Sequence, residues 1–254
     1  MNQEVLFQMC ALRRKDLIEG HRFYVTEARK RLLSQFENIE SEAEKASEEW
    51  IERSSSRFDP ERHDPADFYE AAYNVGIEFY ELLNDMRDQT RLSVVAGMFH
   101  EWDKQLRDWL VNEIKHWYAG ENFPRGIWQV NFAEMAEFLE SLGWSVGSSA
   151  YWETLNACRL VVNVYKHGAG PAFDELKEKY PVYFDDATGN HAILFSSVDL
   201  RDHTYLKISD AQIEAFSEAI VSFWSASPDK ILASQVKEVT GRLQKAILKD
   251  QYPE

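Results

Sequence analysis

Residues 152–170 read W-E-T-L-N-A-C-R-L-V-V-N-V-Y-K-H-G-A-G, and the interpretation of the chain starts from this stretch. Its apolar residues recur at helical spacing, which predicts an amphipathic helix over about 149–167. Gly168 and the Gly-Pro pair at 170–171 predict that the helix ends there, because proline cannot continue it. Polar side chains recur every three or four residues along the same helix and form one stripe: Asn156, Arg159, Asn163, Lys166 and His167.

The run R-L-V-V-N-V-Y-K-H-G, residues 159–168, resembles the signature of the HEPN superfamily. Proteins of this superfamily are helical and carry an arginine, a polar residue and a histidine on one helix. The run is also similar to an N-x-x-K-H-G variant found in helical proteins of this size. In the active signature four to six residues separate Arg and His, whereas seven separate Arg159 from His167 here. On a regular helix, positions i and i+8 lie roughly 80° apart.

The resemblance implies a metal-independent endoribonuclease of a toxin–antitoxin or phage-defence system, in which the ribose 2'-hydroxyl attacks the neighbouring phosphate. His167 would transfer protons, and Arg159 would bind the phosphate and stabilise its developing charge. Asn163 would orient either group, while Lys166 and Asn156 would contact the substrate. The active families form such a site across a homodimer, so a homodimer is implied as well.

An acidic residue on a neighbouring helix is a recurrent HEPN feature, and here Glu101 and Asp103 are the candidate partners of Arg159. They lie in the run H-E-W-D-K-Q-L-R, residues 100–107. A zinc protease would need a second histidine at position 104, where this chain has Lys104. No metal and no cofactor is therefore expected, and a solvent-exposed helix face remains the alternative interpretation of these charges.

The same residues also fit a non-catalytic helical interaction or regulatory module, related to HEPN proteins or to their protein regulators. Arg159 and Asn163 would then form a buried polar network with Glu101 or Asp103. His167 would lie at the negative end of the helix dipole, which favours a cation. The two hypotheses differ in whether Arg159 and His167 converge on one phosphate-sized pocket, and the sequence leaves both open.

The composition predicts a folded, helix-rich protein, with 44% hydrophobic residues and only 11 Gly and 7 Pro in 254. A net charge of −15 argues against a surface that binds nucleic acid throughout, so RNA is expected only at a local basic groove around Arg159 and Lys166. Cys10 and Cys158 are too few for a disulfide framework. The first residues lack the pattern of a secretory signal, and no run has membrane-spanning length. We therefore expect a cytoplasmic protein without membrane partners.

Long segments with apolar residues at helical spacing flank the signature and set the fold class. They predict helices over about 22–54 and 66–118, with Asp64 and Pro65 as the cap and first residue of the second. Further helices are predicted over about 209–225 and 228–249. Two short β-type runs predict a hairpin near 191–208. The sequence thus predicts one all-α domain over 1–254, a HEPN-like bundle of long helices with at most that hairpin.

Overall fold

The computed structural model describes residues 4–184 and 201–252, and most of this length is α-helical. Two short strands, β1 (Val5–Gln8) and β2 (Lys230–Leu232), pair antiparallel. The predicted all-α class is confirmed. The helices are α1 (Ala11–Arg31), α2 (Ile39–Ser55), α3 (Pro65–Trp117), α4 (Asn122–Ile127), α5 (Phe132–Ser141), α6 (Ala150–His167), α7 (Pro171–Lys179), α8 (Asp210–Ala226) and α9 (Gly241–Gln251).

The chain divides into two compact units. Unit 1 comprises Met1–Val25 and Val95–Glu254, and unit 2 is Thr26–Val94. The boundaries fall inside α1 and α3. The single domain over 1–254 stays a prediction, and each unit is described by itself.

The core of unit 1 is a cluster of aromatic rings from α3, α5, α6 and α8. Trp102 is 2% exposed, and its ring centroid lies 5.1 Å from that of Phe223 and 6.2 Å from that of Trp152. Phe132 at the start of α5 stacks on Trp152 at 4.3 Å. The apolar face of α6 is buried along its whole length, as the amphipathic pattern predicts. This cluster therefore holds α5 and α6 side by side.

The strand pair corrects one prediction, the helix over 228–249. Residues 230–232 of that range form β2 and pair with β1, and the helix begins only at Gly241. Phe7 is 1% exposed and packs against the rings of Trp109 and Trp117. The indole of Trp109 donates to the carbonyl of Gln8. Burial of Phe7 against these rings depends on tertiary packing, which the local sequence pattern does not contain.

The predicted helix over 22–54 is interrupted. α1 ends at Arg31, a short 3₁₀ turn follows over Leu33–Phe36, and α2 begins at Ile39. The apolar spacing hides this break because residues on both sides of it are buried, among them Ala28, Ile39 and Ala43. Apolar periodicity indicates which side chains are buried. It does not indicate where the backbone changes from α-helical to 3₁₀ hydrogen bonding. α3, in contrast, begins at Pro65 as predicted, with the Asp64 carboxylate accepting from the Ala66 amide at 2.8 Å.

Most of the predicted hairpin lies outside the described residues, which end at 184 and resume at 201. Within its second half, His203–Tyr205 form a 3₁₀ turn, and Leu206 makes an isolated antiparallel bridge with Phe184. This part of the predicted second strand is therefore a turn followed by a single bridge.

In unit 2, α2 packs closely against α3. A Cβ atom at Gly76 would lie 3.2 Å from the Ala43 carbonyl oxygen, so the glycine allows the two backbones to approach. Toward the connecting loop the rings of Trp50 and Phe58 lie 5.1 Å and 5.0 Å from that of Phe68. Close packing at one end and ring contacts at the other make α2 and α3 a helical hairpin.

We expect Asp250→Ala to destabilise the contact between α9 and α4. The Asp250 carboxylate accepts hydrogen bonds from the Asn122 and Phe123 amides, the Asn122 side chain and the Tyr118 hydroxyl. Losing these acceptors at the start of a short helix should lower the free energy of unfolding by about 2 kcal/mol at pH 7. Urea denaturation measures this, and Lys249→Ala, an exposed neighbour on α9, is the control.

The effect should depend on pH. Burial raises the pKa of Asp250, but the hydrogen bonds from Asn122 and Phe123 outweigh it and leave the pKa below its usual value. Stabilisation by this carboxylate is therefore present above the unfolded-state pKa and is lost as the pH falls through the folded-state value. The difference between wild type and Asp250→Ala should shrink below about pH 4. A difference in unfolding free energy between the two proteins that stays constant down to about pH 2.5 would contradict this pH dependence.

Candidate functional site

Two residues of the polar stripe of α6, Asn156 and Arg159, line a cleft of about 970 Å³ in unit 1. α5 forms one wall with Phe132, the N-terminal half of α6 contributes Asn156 and Arg159, and α7 contributes Glu175. The Gly168–Gly170 turn connects α6 to α7, and Gly168 adopts a φ of +69° that favours glycine. This turn returns the chain so that Glu175 faces Arg159.

Arg159 is held in place by three contacts. Its Nε donates to Asn156 Oδ1 at 3.0 Å, and its Nη2 donates to Glu175 Oε2 at 3.3 Å. The guanidinium carbon lies 5.5 Å from the centroid of the Phe132 ring, within the range of a cation–π contact. The Arg159 side chain is 24% exposed. Arg159 therefore links α5, α6 and α7 through its own side chain.

Glu175 is the counter-ion of this arrangement. Its other oxygen accepts from Lys179 Nζ at 2.9 Å. The hydrogen bond from Lys179 lowers the pKa of Glu175 most, burial opposes it, and the positive charge of Arg159 lowers it further. The net direction is downward, so the carboxylate is ionised at neutral pH.

Glu101 and Asp103, the acidic candidates, have other partners. The Asp103 carboxylate accepts from Arg107 Nε at 2.8 Å and from Nη2 at 3.0 Å, and Glu101 accepts from Gln105. The expected pairing of Arg159 with either of them is thus corrected, because its acidic partner is Glu175. The reason is local: residues four apart on α3 reach each other without help from another helix.

Asn163, Lys166 and His167 do not line the cleft that contains Arg159. Asn163 is half-buried, and Lys166 and His167 are exposed in the last turn of α6. That turn stays helical, since the Gly168 amide donates to the Val164 carbonyl at 2.8 Å. His167 lies eight helical steps after Arg159, which places the two residues about 12 Å apart along the axis and roughly 80° apart around it. The structure thus unites Arg159 with Asn156 but leaves His167 apart from them.

The cleft is acidic. Among the described residues, Arg159 is the one basic residue that lines it. Four glutamates also line it: Glu137, Glu140, Glu153 and Glu175. The local basic groove expected around Arg159 and Lys166 is not present there, because Lys166 lies further along α6. Phosphate groups would meet a net negative field at this cleft.

Two residues that the sequence analysis gave no role shape the site. Arg107 is 8% exposed and donates to the carbonyls of Ile127 and Val130 as well as to Asp103. It thereby positions the segment that leads into α5. The four-residue spacing between Asp103 and Arg107 could have predicted their ion pair from the sequence. Glu175 carried no such signal, because a glutamate on a short amphipathic helix is ordinary surface.

The described residues also bear on metal binding, thiol reactivity and membrane spanning. No group of three or more His, Cys, Asp or Glu side chains is arranged to hold a metal ion within 4–184 and 201–252. Cys158 is fully buried in α6, and this burial raises the pKa of its thiol, which disfavours a reactive thiolate. Among the same residues, no helix is long and apolar enough to cross a membrane.

Comparisons with known proteins add no relative. A scan against models of protein families finds no match, and searches of curated proteins and of solved structures find none either. The HEPN resemblance therefore rests on residues 159–168.

Proposed function

We propose that this chain is a non-catalytic, HEPN-like helical interaction module. In this proposal Arg159 organises α5, α6 and α7 and does not bind a scissile phosphate. The observation that carries it is the engagement of the Arg159 guanidinium by Asn156, Glu175 and Phe132, with His167 about two turns away on the same regular helix.

The distance argues against a proton-transfer role for His167 at the Arg159 cleft. A general acid or base must come within hydrogen-bond reach of the proton that it moves, roughly 2.6–3.2 Å between heavy atoms. The Arg159 side chain extends toward Asn156, which precedes it on α6, and so away from His167. A phosphate would also have to displace Glu175 and enter an acidic cleft. All three points favour the module.

The ribonuclease remains the alternative proposal, and it requires a homodimer. If two signature helices faced each other, a site could combine Arg159 of one chain with the histidine of its partner. In that case Asn163 and Lys166 would lie along the facing surface, where the resemblance expects them. Cleavage of RNA and self-association are therefore tested together.

We expect the wild-type protein to leave a mixed RNA pool intact in EDTA. His167→Ala should change neither this result nor the melting temperature. Arg159→Ala should cost only about 1 kcal/mol of stability, because Glu175 keeps Lys179 and is one-third exposed. Gel electrophoresis of the RNA, denaturant unfolding and light scattering measure these outcomes.

Thr154→Ala, on the same helix but outside the stripe, is the matched control for preparation and handling. Metal-independent cleavage by the wild type that falls by about two to four orders of magnitude in both Arg159→Ala and His167→Ala would overturn the module and establish the ribonuclease. Cleavage that persists unchanged in both variants would point to a contaminating nuclease, and the module would stand.

A further inference from the structure

A groove of about 670 Å³ runs between α2 and α3 in unit 2, on a surface that the signature helix does not include. Gly76 and Ala43 form its floor, where the two helices approach most closely. Tyr73, Ile77 and Tyr80 form the wall on the α3 side. Its volume lies within the roughly 300–1,000 Å³ of ligand-binding clefts.

The α3 wall of this groove is apolar and open. Tyr73 is 66% exposed, Ile77 39% and Tyr80 38%, and Tyr69, 62% exposed, continues the same stripe one turn earlier. These positions recur at steps of three and four, so they share one helix face. Contiguous exposed aromatic and aliphatic surface of this kind marks interaction sites, because leaving it in water is unfavourable.

The rim of the groove carries charge of one sign. Glu40, Glu44 and Glu48 line the α2 side and Glu81 lines the α3 side. None of the described residues that line the groove is a lysine or an arginine. All four glutamates are exposed, and within the described part of the chain none of them forms an ion pair. Like charges at four-residue spacing destabilise a helix slightly. Within the described residues, the rim is thus a set of exposed carboxylates that have no ion-pair partner.

We propose that this groove binds an amphipathic helix of another protein, with apolar residues on one face and lysine or arginine along its edges. The apolar face would cover Tyr73, Ile77 and Tyr80, and the basic residues would pair with the glutamates of the rim. The lining spans nine residues of each helix, about 12 Å from first to last, which matches roughly two turns of a docked helix.

Charge selects this occupant over a second copy of the same chain. In a symmetric dimer the same patch meets itself, so the four rim glutamates would approach those of the partner. The chain as a whole carries −15. A basic partner gains attraction where a second copy meets repulsion. The inference rests on the proposed interaction module, for which it names the partner class.

The probe is a synthetic helical peptide of roughly 14 residues, with leucines on one face and lysines on both flanks, titrated against the full-length protein. We expect saturable binding that weakens as salt rises, because the rim charges are exposed. A peptide with glutamates in place of the lysines should not bind. Glu44→Lys combined with Glu48→Lys should weaken binding at least about tenfold. Fluorescence anisotropy measures each titration.

The matched control is Glu42→Lys combined with Glu52→Lys, which makes the same charge change on exposed positions of α2 outside the groove. Its affinity should stay within about twofold of wild type. Tyr73→Ser combined with Ile77→Ser should weaken binding at every salt concentration. No saturable binding, equal losses in both charge variants, or self-association through the groove would each overturn the proposal.

This result is separable from the test of the proposed function. RNA cleavage depends on Arg159 and His167 in unit 1, whereas peptide binding depends on α2 and the first part of α3 in unit 2. Cleavage together with peptide binding would overturn the non-catalytic module and leave the groove standing. If the protein neither cleaves RNA nor binds the peptide, the non-catalytic module stands and the proposed peptide binding at the groove is overturned.

Discussion

Arg107→Ala is expected to lower the free energy of unfolding by about 3 kcal/mol, the largest effect of a single change in α3 that we predict. The Arg107 side chain is 10% exposed and donates to Asp103 through two nitrogens. It also donates to the carbonyls of Ile127 and Val130. Truncation leaves a partly buried carboxylate without its cation and two carbonyls without this donor. Asp103 is 30% exposed, so water offsets part of the cost.

Guanidinium chloride denaturation measures the effect as a shift in midpoint at unchanged slope. Arg125→Ala is the matched control, because Arg125 pairs with Glu121 at the same four-residue spacing but both side chains are more than 70% exposed. That change should cost less than about 1 kcal/mol. Equal losses in the two variants would show that the contacts of Arg107 with Ile127 and Val130 carry no stability.

Lowering the pH from 7 to 4 is expected to remove about 3 kcal/mol of stability through His21 alone. His21 is 7% exposed, and its ring hydrogen-bonds Ser217 Oγ on α8 at 2.9 Å. Burial lowers the pKa of His21 to about 4, with Ser217 and Glu214 opposing the shift and Arg22 adding to it. The unfolded chain therefore takes up the proton first, near pH 6.5, and the folded state only near pH 4. Stability falls across this window, and below it the group contributes no further change.

His21→Gln tests this directly, because glutamine can keep a hydrogen bond to Ser217 but cannot take up the proton. Thermal unfolding between pH 7 and 4 should show a flatter pH dependence in the variant, whatever its stability at pH 7. His116→Gln changes an exposed histidine in the last turn of α3 and should retain the wild-type slope. Parallel curves for wild type and His21→Gln would mean that another group controls the acid sensitivity.

Several elements could be predicted from the sequence because their signals are local. The signature helix was expected over about 149–167 and spans Ala150–His167, and the cap at Asp64 and Pro65 starts α3 where expected. The helix expected over 209–225 spans Asp210–Ala226, with Ser209 and Gln212 forming a capping box. In each case one short stretch contains both the apolar spacing and the terminating residue.

The candidate site was only half predictable. The sequence identified Arg159 and Asn156 from their position on one stripe, and the structure places both at the cleft. It could not identify Glu175, because the return of α7 onto α6 depends on the turn at Gly168. It offered Glu101 or Asp103 as the acidic partner of Arg159, whereas Asp103 pairs with Arg107 on the same helix. Pairing across helices is decided by packing, and several partners compete for each charge.

By itself the sequence determined the helical class, the ends of the capped helices and the stripe of polar residues on α6, since helical periodicity and capping act within a few residues. Tertiary structure alone decided that residues 5–8 form a strand with Lys230–Leu232, that Arg159 pairs with Glu175, and that an acid-rimmed groove opens between α2 and α3. These features join residues far apart in the chain. Their energies come from burial and from charges brought together by folding, which no local pattern encodes.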